Sequence, residues 1–371
     1  MADQEGRGGL CTPTRWRLIA SGVLLAACPL LVLLFERFGE ALSGGYRPFS
    51  KGLLSLQATV ASVAPFALWD FLVVGFALAA LFTLVRRVVR RRPLLPWLSV
   101  VLLVSSATLF LFVSGWALNH YAPSLANEIG LEVGAYTDDE LAAATRHYLE
   151  RAAALAPSVP RGEDGELLRQ DFYELARIAG GSYRELSESY GIFEGSQAPV
   201  KALLLLGEPL LLSGHVGIFF SPTGESSVPV NCAVADLPFT MCHEAAHRLA
   251  IAREQEANFA AFLACTTSDD VRFSYSGYYS AFSFCYGALR RSDPDRAARL
   301  LDEVRTSGLD AGVGLVLADL VATGRHYDAY EGWFGRIGSA VNDGYLRSFG
   351  EREGVKSYGL VVDYLIAWDR R

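Results

Sequence analysis

The sequence predicts a mainly α fold in two parts: three N-terminal transmembrane helices (residues 1–118) and an α+β domain with a small β element (residues 119–371). Three observations support this. The 371 residues are 51% hydrophobic with mean hydropathy +0.24, too apolar for an ordinary soluble chain of this length. The apolar residues concentrate in three early runs. The remainder reads mostly in segments of helical period, with one convincing strand region.

The first run, Leu18 to Phe35, follows Arg15 and Arg17. The second, Phe66 to Val85, is interrupted only by Asp70, and the third, Leu94 to Leu118, carries no charge. Each is long enough to cross a bilayer core. A cleaved signal peptide is the alternative for the first run, but no small-x-small site with a mature-like start follows it, which favours an uncleaved anchor. Asp70 lies near the start of its run, where a carboxylate can stay hydrated. Phe49 to Val63 has some amphipathic character and is read as a linker rather than an interfacial helix.

Five arginines, Arg86, Arg87, Arg90, Arg91 and Arg92, crowd the link between the second and third runs, whereas Glu36 to Pro65 mixes both signs. Basic loops stay in the cytoplasm, so everything after about Asn119 is expected outside it. The position of the cluster between two spans argues against nucleic-acid binding. So does a net charge of -7, which leaves the second part more acidic than the whole. The bilayer is therefore an expected partner and nucleic acid is not; nothing in the sequence sets the oligomeric state.

In the second part, Thr137-Asp138-Asp139-Glu140 is a capping box opening a helix to about Ala154. Helical patterns follow over Asp164 to Ile178 and Tyr183 to Tyr190. Lys201 to Leu212 is a leucine-rich run, and Gly217 to Ser221 and Ser227 to Asn231 flank a Pro-Thr-Gly-Glu turn as short strands. Helices are expected from Asp293-Pro294 through Arg305, over Ala311 to Thr323, over Tyr327 to Asn342 and over Ser357 to Trp368. Cys11, Cys28, Cys232, Cys242, Cys265 and Cys285 form no metal-ribbon pattern, and no essential disulfide is expected.

The residues that carry chemistry are Thr240-Met241-Cys242-His243-Glu244-Ala245-Ala246-His247. Asp236 and Pro238 mark the start of a helix through them. The i, i+4 spacing stacks His243 and His247 on one face, so both imidazoles reach one ion, with Glu244 beside them as a base. A catalytic Zn2+ needs a third protein ligand and an open position. Glu254 is the first candidate and Glu256 the alternative. An unbroken helix would carry Glu254 about 16 Å along the axis from His243, so the chain must reverse between Arg248 and Arg253.

Glu254-x-x-Ala257-Asn258 resembles the Glu-x-x-Ala-Asp segment that supplies the third ligand in gluzincin peptidases, with Asn258 in place of the Asp that braces a ligand histidine. Two further departures are Arg248, charged where zinc peptidases prefer an uncharged residue, and Ala250, where a Gly is expected. LPFTMCHEAAHRLAIAREQEANFAAFLAC, the Pro-Thr-Gly-Glu turn, FSYSGYYSAF and the N-terminal spans together resemble an uncharacterised family of bacterial membrane-anchored proteins carrying an HExxH site.

The resemblance implies a zincin-like domain that hydrolyses peptide or protein substrates on the extracytoplasmic side. His243, His247 and Glu254 would hold Zn2+, and Glu244 would move the proton between water and the leaving amine. It also implies an edge strand that binds the substrate backbone. Tyr275, Tyr278, Tyr279 and Arg253 are the candidates to stabilise an oxyanion; His120, His147, His215 and His326 stand singly and are read as structural. A non-enzymatic membrane sensor or cell-envelope binding protein with a structural metal is the alternative. An intramembrane protease is disfavoured, because the motif lies more than a hundred residues beyond the last run.

Overall fold

The structure is a computed structural model that describes residues 12–349 and 360–371, so Cys11 and the start of the Ser357 to Trp368 segment lie outside the described residues. It is mainly helical, with one three-stranded sheet. Among the described residues four helical stretches are long and apolar enough to cross a membrane: Thr12–Ala61, Leu68–Val89, Leu95–Tyr121 and Pro294–Asp328.

Helix α1 (Thr12–Ala61) contains the first apolar run but continues far past it. The expected link from Glu36 is instead helix, and Phe49 to Val63 belongs almost wholly to it rather than to a linker. The helix is bent. The rings of Phe35 and Tyr46 lie 4.9 Å apart, whereas eleven residues of straight helix would separate them by about 16 Å. Pro48 offers no N–H to the Gly44 carbonyl, and Gly44 and Gly45 resist bending least, which places the bend there.

Helices α2 (Leu68–Val89) and α3 (Leu95–Gly115) match the second and third runs closely. Thr14, Ser21, Cys28 and Phe35 on α1 and Ser99, Ser106 and Val113 on α3 are buried at intervals of seven, the spacing of a helix–helix seam, and Cys28 and Phe35 cluster with Val113 and Trp116. Small residues along such a seam let the backbones approach closely.

The helices that follow are α4 (Leu125–Ile129), α5 (Asp138–Leu155), α6 (Phe172–Gly181) and α7 (Arg184–Ser189). The Thr137 hydroxyl accepts from the Glu140 N–H and the Glu140 carboxylate accepts from the Thr137 N–H, the expected capping box. α6 starts later than its sequence pattern suggested, at a cap made by Asp171; Asp164 to Gln170 is a turn closed by the Arg161–Leu167 bridge.

Strand β1 (Lys201–Leu203), helix α8 (Gly207–Leu212), and strands β2 (Ile218–Phe220) and β3 (Glu225–Pro229) come next. The order is β1-β3-β2, with β3 parallel to β1 and antiparallel to β2. β1 was hidden inside the leucine-rich run because three residues are too short to show a period.

The sheet is tied to the turn between α1 and α2. The Lys201 ammonium donates to the Ala61 and Ala64 carbonyls at the end of α1. The Glu225 carboxylate accepts from the Leu68 and Trp69 N–H groups at the start of α2, where an anion is favoured. Asp70, fully buried rather than hydrated, accepts from the N–H groups of Leu204, Leu205 and Leu206 at 2.8–3.0 Å. The Trp69 ring stacks on Phe220 of β2 at 4.8 Å.

The core of the second part is α9 (Leu237–Arg248), α10 (Glu254–Thr266) and α11 (Val271–Ser292), with α5 and α6 packed around them. The sequence concealed α11 because Ser, Gly277 and aromatic residues are weak helix formers; its aromatic face is buried on α5 and α10. The chain ends with α12 (Pro294–Val304), α13 (Asp310–Asp328), α14 (Trp333–Ser348) and α15 (Val361–Asp369). Tyr327 belongs to α13, not to the helix expected over Tyr327 to Asn342, because the chain breaks at Gly332.

Candidate metal centre

Helix α9 begins with Pro238 in its first turn, as its sequence suggests, but Asp236 makes no capping bond. The Asp236 carboxyl is half-buried at the cleft, and desolvation pushes it up to about 6. The helix ends where the third ligand requires it to. Ala250 takes the left-handed conformation, φ 64°. Its N–H donates to the His247 carbonyl at 3.0 Å, and the Ile251 N–H donates to the Ala246 carbonyl at 3.3 Å. These two bonds form a Schellman motif, the commonest way to close a helix and turn the chain. Left-handed backbone costs a non-glycine residue roughly 1–2 kcal/mol, so the packing of this fully buried alanine holds the turn.

The Ala250 turn is therefore a point of test. Ala250→Val, β-branched at positive φ, is expected to lower the thermal midpoint and zinc retention together. Ala250→Gly is expected to leave both near the native values, because it relieves strain while adding unfolded-state entropy.

The reversal brings α10 back against α9. Glu254 Oε2 lies 3.2 Å from His243 Nε2 and 3.7 Å from His247 Nε2, and the two Nε2 atoms are 3.1 Å apart. Bonds of about 2.0–2.1 Å around a tetrahedral zinc give ligand–ligand edges of about 3.3 Å. The three atoms thus form one face of such a tetrahedron, and they are one group among the described residues that could hold a metal ion. Glu254 Oε2 is buried without a hydrogen-bond donor, as a ligand atom awaiting a cation would be. His247 Nδ1 lies 2.8 Å from the Ile251 carbonyl, a bond that turns Nε2 toward His243 and Glu254. The turn that delivers Glu254 also supplies this brace. Burial works against charging His247, but the Glu254 carboxylate overrides it and raises the imidazole to about 9. Glu254 itself is held well below the usual carboxylate range: burial opposes its ionisation, but the two histidines more than offset that.

Glu256, the alternative ligand, is engaged elsewhere. Its carboxylate pairs with Arg253 at 2.9 Å and accepts from the Tyr364 hydroxyl at 3.3 Å. Asn258 lies at the cleft, yet its Nδ2 has no partner and no bond from Asn258 to His243 or His247 is formed. The expected brace at this position is replaced by the Ile251 carbonyl.

Glu244 is buried beside the histidines, and burial, partly offset by His243 and His247, pushes its carboxyl up to about 7. A general base works best with a pKa near the operating pH. The Ser226 hydroxyl of β3 donates to the Glu244 carbonyl at 2.6 Å, tying the sheet to this turn of the helix. Two adjoining hollows, about 470 and 510 Å³, share His215, Gly217, His243 and Glu244.

Residues 215–219 form one side of this cleft, and β2 is the edge strand of the sheet. Gly217 is needed there: a Cβ would stand 2.8 Å from Glu244 Cγ and Cδ. Gly217→Ala is expected to cut kcat about a hundredfold by displacing that carboxylate. Zinc content should stay unchanged, which assay and metal analysis together would check.

None of the four residues proposed for oxyanion stabilisation lines the cleft. The Tyr275 hydroxyl bonds Asp319, Tyr279 bonds Thr323 at 2.9 Å, Tyr278 lies beside Arg151, and Arg253 serves Glu256 and the His120 and Ala122 carbonyls. His215 and Tyr345 stand there instead. His215 Nδ1 is 2.9 Å from the Ser213 hydroxyl, and burial lowers its pKa against the pull of Glu254. A single histidine in a loop and a tyrosine 130 residues further on carry no spacing signal, which is why the sequence did not reveal them. Arg248 is buried outside the cleft, and burial lowers it to about 10.

The fold and site together define a class: a mainly helical chain with apolar helices of membrane-crossing length and two histidines and two glutamates gathered at one cleft. Residues 46–366 match the family described as "Protein of unknown function (DUF3810)", and the chain belongs to that family. Comparison with curated proteins and with solved structures finds no match.

Proposed function

We propose that the protein is a membrane-anchored, gluzincin-like zinc metallopeptidase acting on peptide or protein substrates at the extracytoplasmic face. The observation that carries this reading is the Glu254 carboxylate within 3.2 and 3.7 Å of His243 and His247, beside a second, buried glutamate and an open cleft. When bound, Zn2+ would polarise the scissile carbonyl and acidify water. Glu244 is placed to accept a proton from that water and return it to the leaving amine. His215 supplies a donor at the cleft for the developing oxyanion, whereas the Tyr345 hydroxyl is held by His120 Nε2 at 3.1 Å. β2, an outer strand of the sheet on the cleft wall, can pair with an extended peptide.

A structural metal in a non-enzymatic sensor would be closed by four protein ligands, whereas three ligands facing a cavity suit catalysis. Three spans fit this reading better than four. The fourth candidate is broken at Gly308 (φ 95°), and its Asp319 pairs with Arg161 in the core of the second part. The arginine cluster at the α2–α3 turn supports a topology with residues after about Asn119 outside the cytoplasm. The test is hydrolysis of a peptide library by the full-length protein in detergent. Cleavage is expected to stop on chelation and return with zinc; cleavage indifferent to chelator would contradict the reading.

A further inference from the structure

We propose that the cleft opens at the bilayer surface and takes the juxtamembrane stretch of a membrane-anchored polypeptide; this substrate class rests on the peptidase reading above. The motif is distant in sequence from the apolar runs but not in space. Phe112 and Trp116, in and just after the last turn of α3, line the same cavity as His243, His247 and Glu254. The Trp116 indole N–H donates to the His247 carbonyl at 2.9 Å, and its ring lies 5.7 Å from the His247 ring. One side chain therefore separates the metal pair from the end of a helix apolar enough to cross a membrane. On this proposal the site stands at the bilayer surface, where α3 gives way at Gly115 to the short helical turn Ala117–Tyr121.

The apolar surface of the turn after β1 and of α14 agrees. Leu204 and Leu205 are 46% and 44% exposed, and Asp70 in the first turn of α2 holds their N–H groups. They therefore stand level with the exposed Phe71 and Leu72 of α2. α14 lines the cavity through Gly338, Val341 and Tyr345, while Trp333, Phe334 and Ile337 on its apolar stripe are 52–58% exposed. Its Arg347–Asp343 pair occupies the polar side. Soluble proteins rarely leave contiguous apolar surface of this kind uncovered, and a helix with an aromatic–aliphatic stripe and a charged face lies naturally in a membrane interface. Tyr345 near the end of α14 and Phe349 just after it pack on Phe112 in the last turn of α3, with ring centroids 5.9 and 6.1 Å apart, so the stripe starts from the same helix end as the cleft. A substrate tethered in that bilayer is presented to the cleft at high effective concentration.

The experiment uses full-length protein in phosphatidylcholine–phosphatidylglycerol proteoliposomes. A random twelve-residue peptide library is supplied either free or fused to a leucine-rich span of about 20 residues. The tethered library is expected to be cleaved at least tenfold faster, and Ile337→Glu to abolish that advantage while leaving cleavage of the free library unchanged. Brominated lipid should quench the Trp333 fluorescence, taken as the difference between the native chain and Trp333→Phe. Equal cleavage of the two libraries, or an unquenched Trp333, would overturn the proposal. A zinc-loaded protein that cleaves neither library sinks the peptidase reading and the substrate class with it, and the quenching then separately decides whether α14 touches the bilayer.

Discussion

Glu244→Gln is expected to lower hydrolysis by about a thousandfold or more while the protein keeps its zinc. The amide fills the same volume but cannot accept a proton, and general-base catalysis contributes typically 10²–10⁴-fold. The burial that raises Glu244 to about 7 also makes the substitution easy to accommodate, since Gln carries no charge to desolvate. Glu244 approaches the backbone of Gly217 and makes no bond to Glu254, so the ligand cage is left intact. Loss of zinc in this variant would show that Glu244 belongs to the cage.

His247→Ala is expected to give the opposite pattern: zinc is lost, and activity with it. Removing a ligand must cost more than the roughly 10–100-fold in affinity that removing an outer partner costs. It also leaves the Ile251 carbonyl without its His247 partner and Glu254 facing a single imidazole. Glu254→Gln should weaken the metal less, because an amide oxygen still reaches the position but brings no charge. Glu256→Gln should leave zinc content unchanged, since that carboxylate serves Arg253 and Tyr364. Metal analysis of the four proteins separates these cases.

The parts of the fold legible in the sequence were those written in local chemistry. The capping box at Thr137, the proline start of α9, the Asp293 cap of α12 and the apolar runs all depend on residues within a few positions of each other. The His243–Glu244–His247 face followed from helical spacing, and the need for a reversal followed from the length of eleven helical residues. How the reversal would be made was not legible. Ala250 at positive φ is tolerated only because Ala246, His247 and Ile251 complete the motif around it.

The union of the sheet with the α1–α2 turn was equally hidden. Asp70, Lys201 and Glu225 lie far apart in sequence, and each satisfies backbone groups on another element. For the same reason Phe112 and Trp116 read as membrane residues, although they also form a wall of the cleft. His215 and Tyr345 reach that cleft only through tertiary packing.

The most direct measurement is zinc K-edge X-ray absorption on the purified full-length protein, together with its metal content. One zinc per chain is expected, bound by two imidazole nitrogens and carboxylate or water oxygens at about 2.0–2.2 Å, with no sulfur. A folded chain that binds no zinc, or one whose zinc is bound through cysteine sulfur, would contradict the assignment of His243, His247 and Glu254.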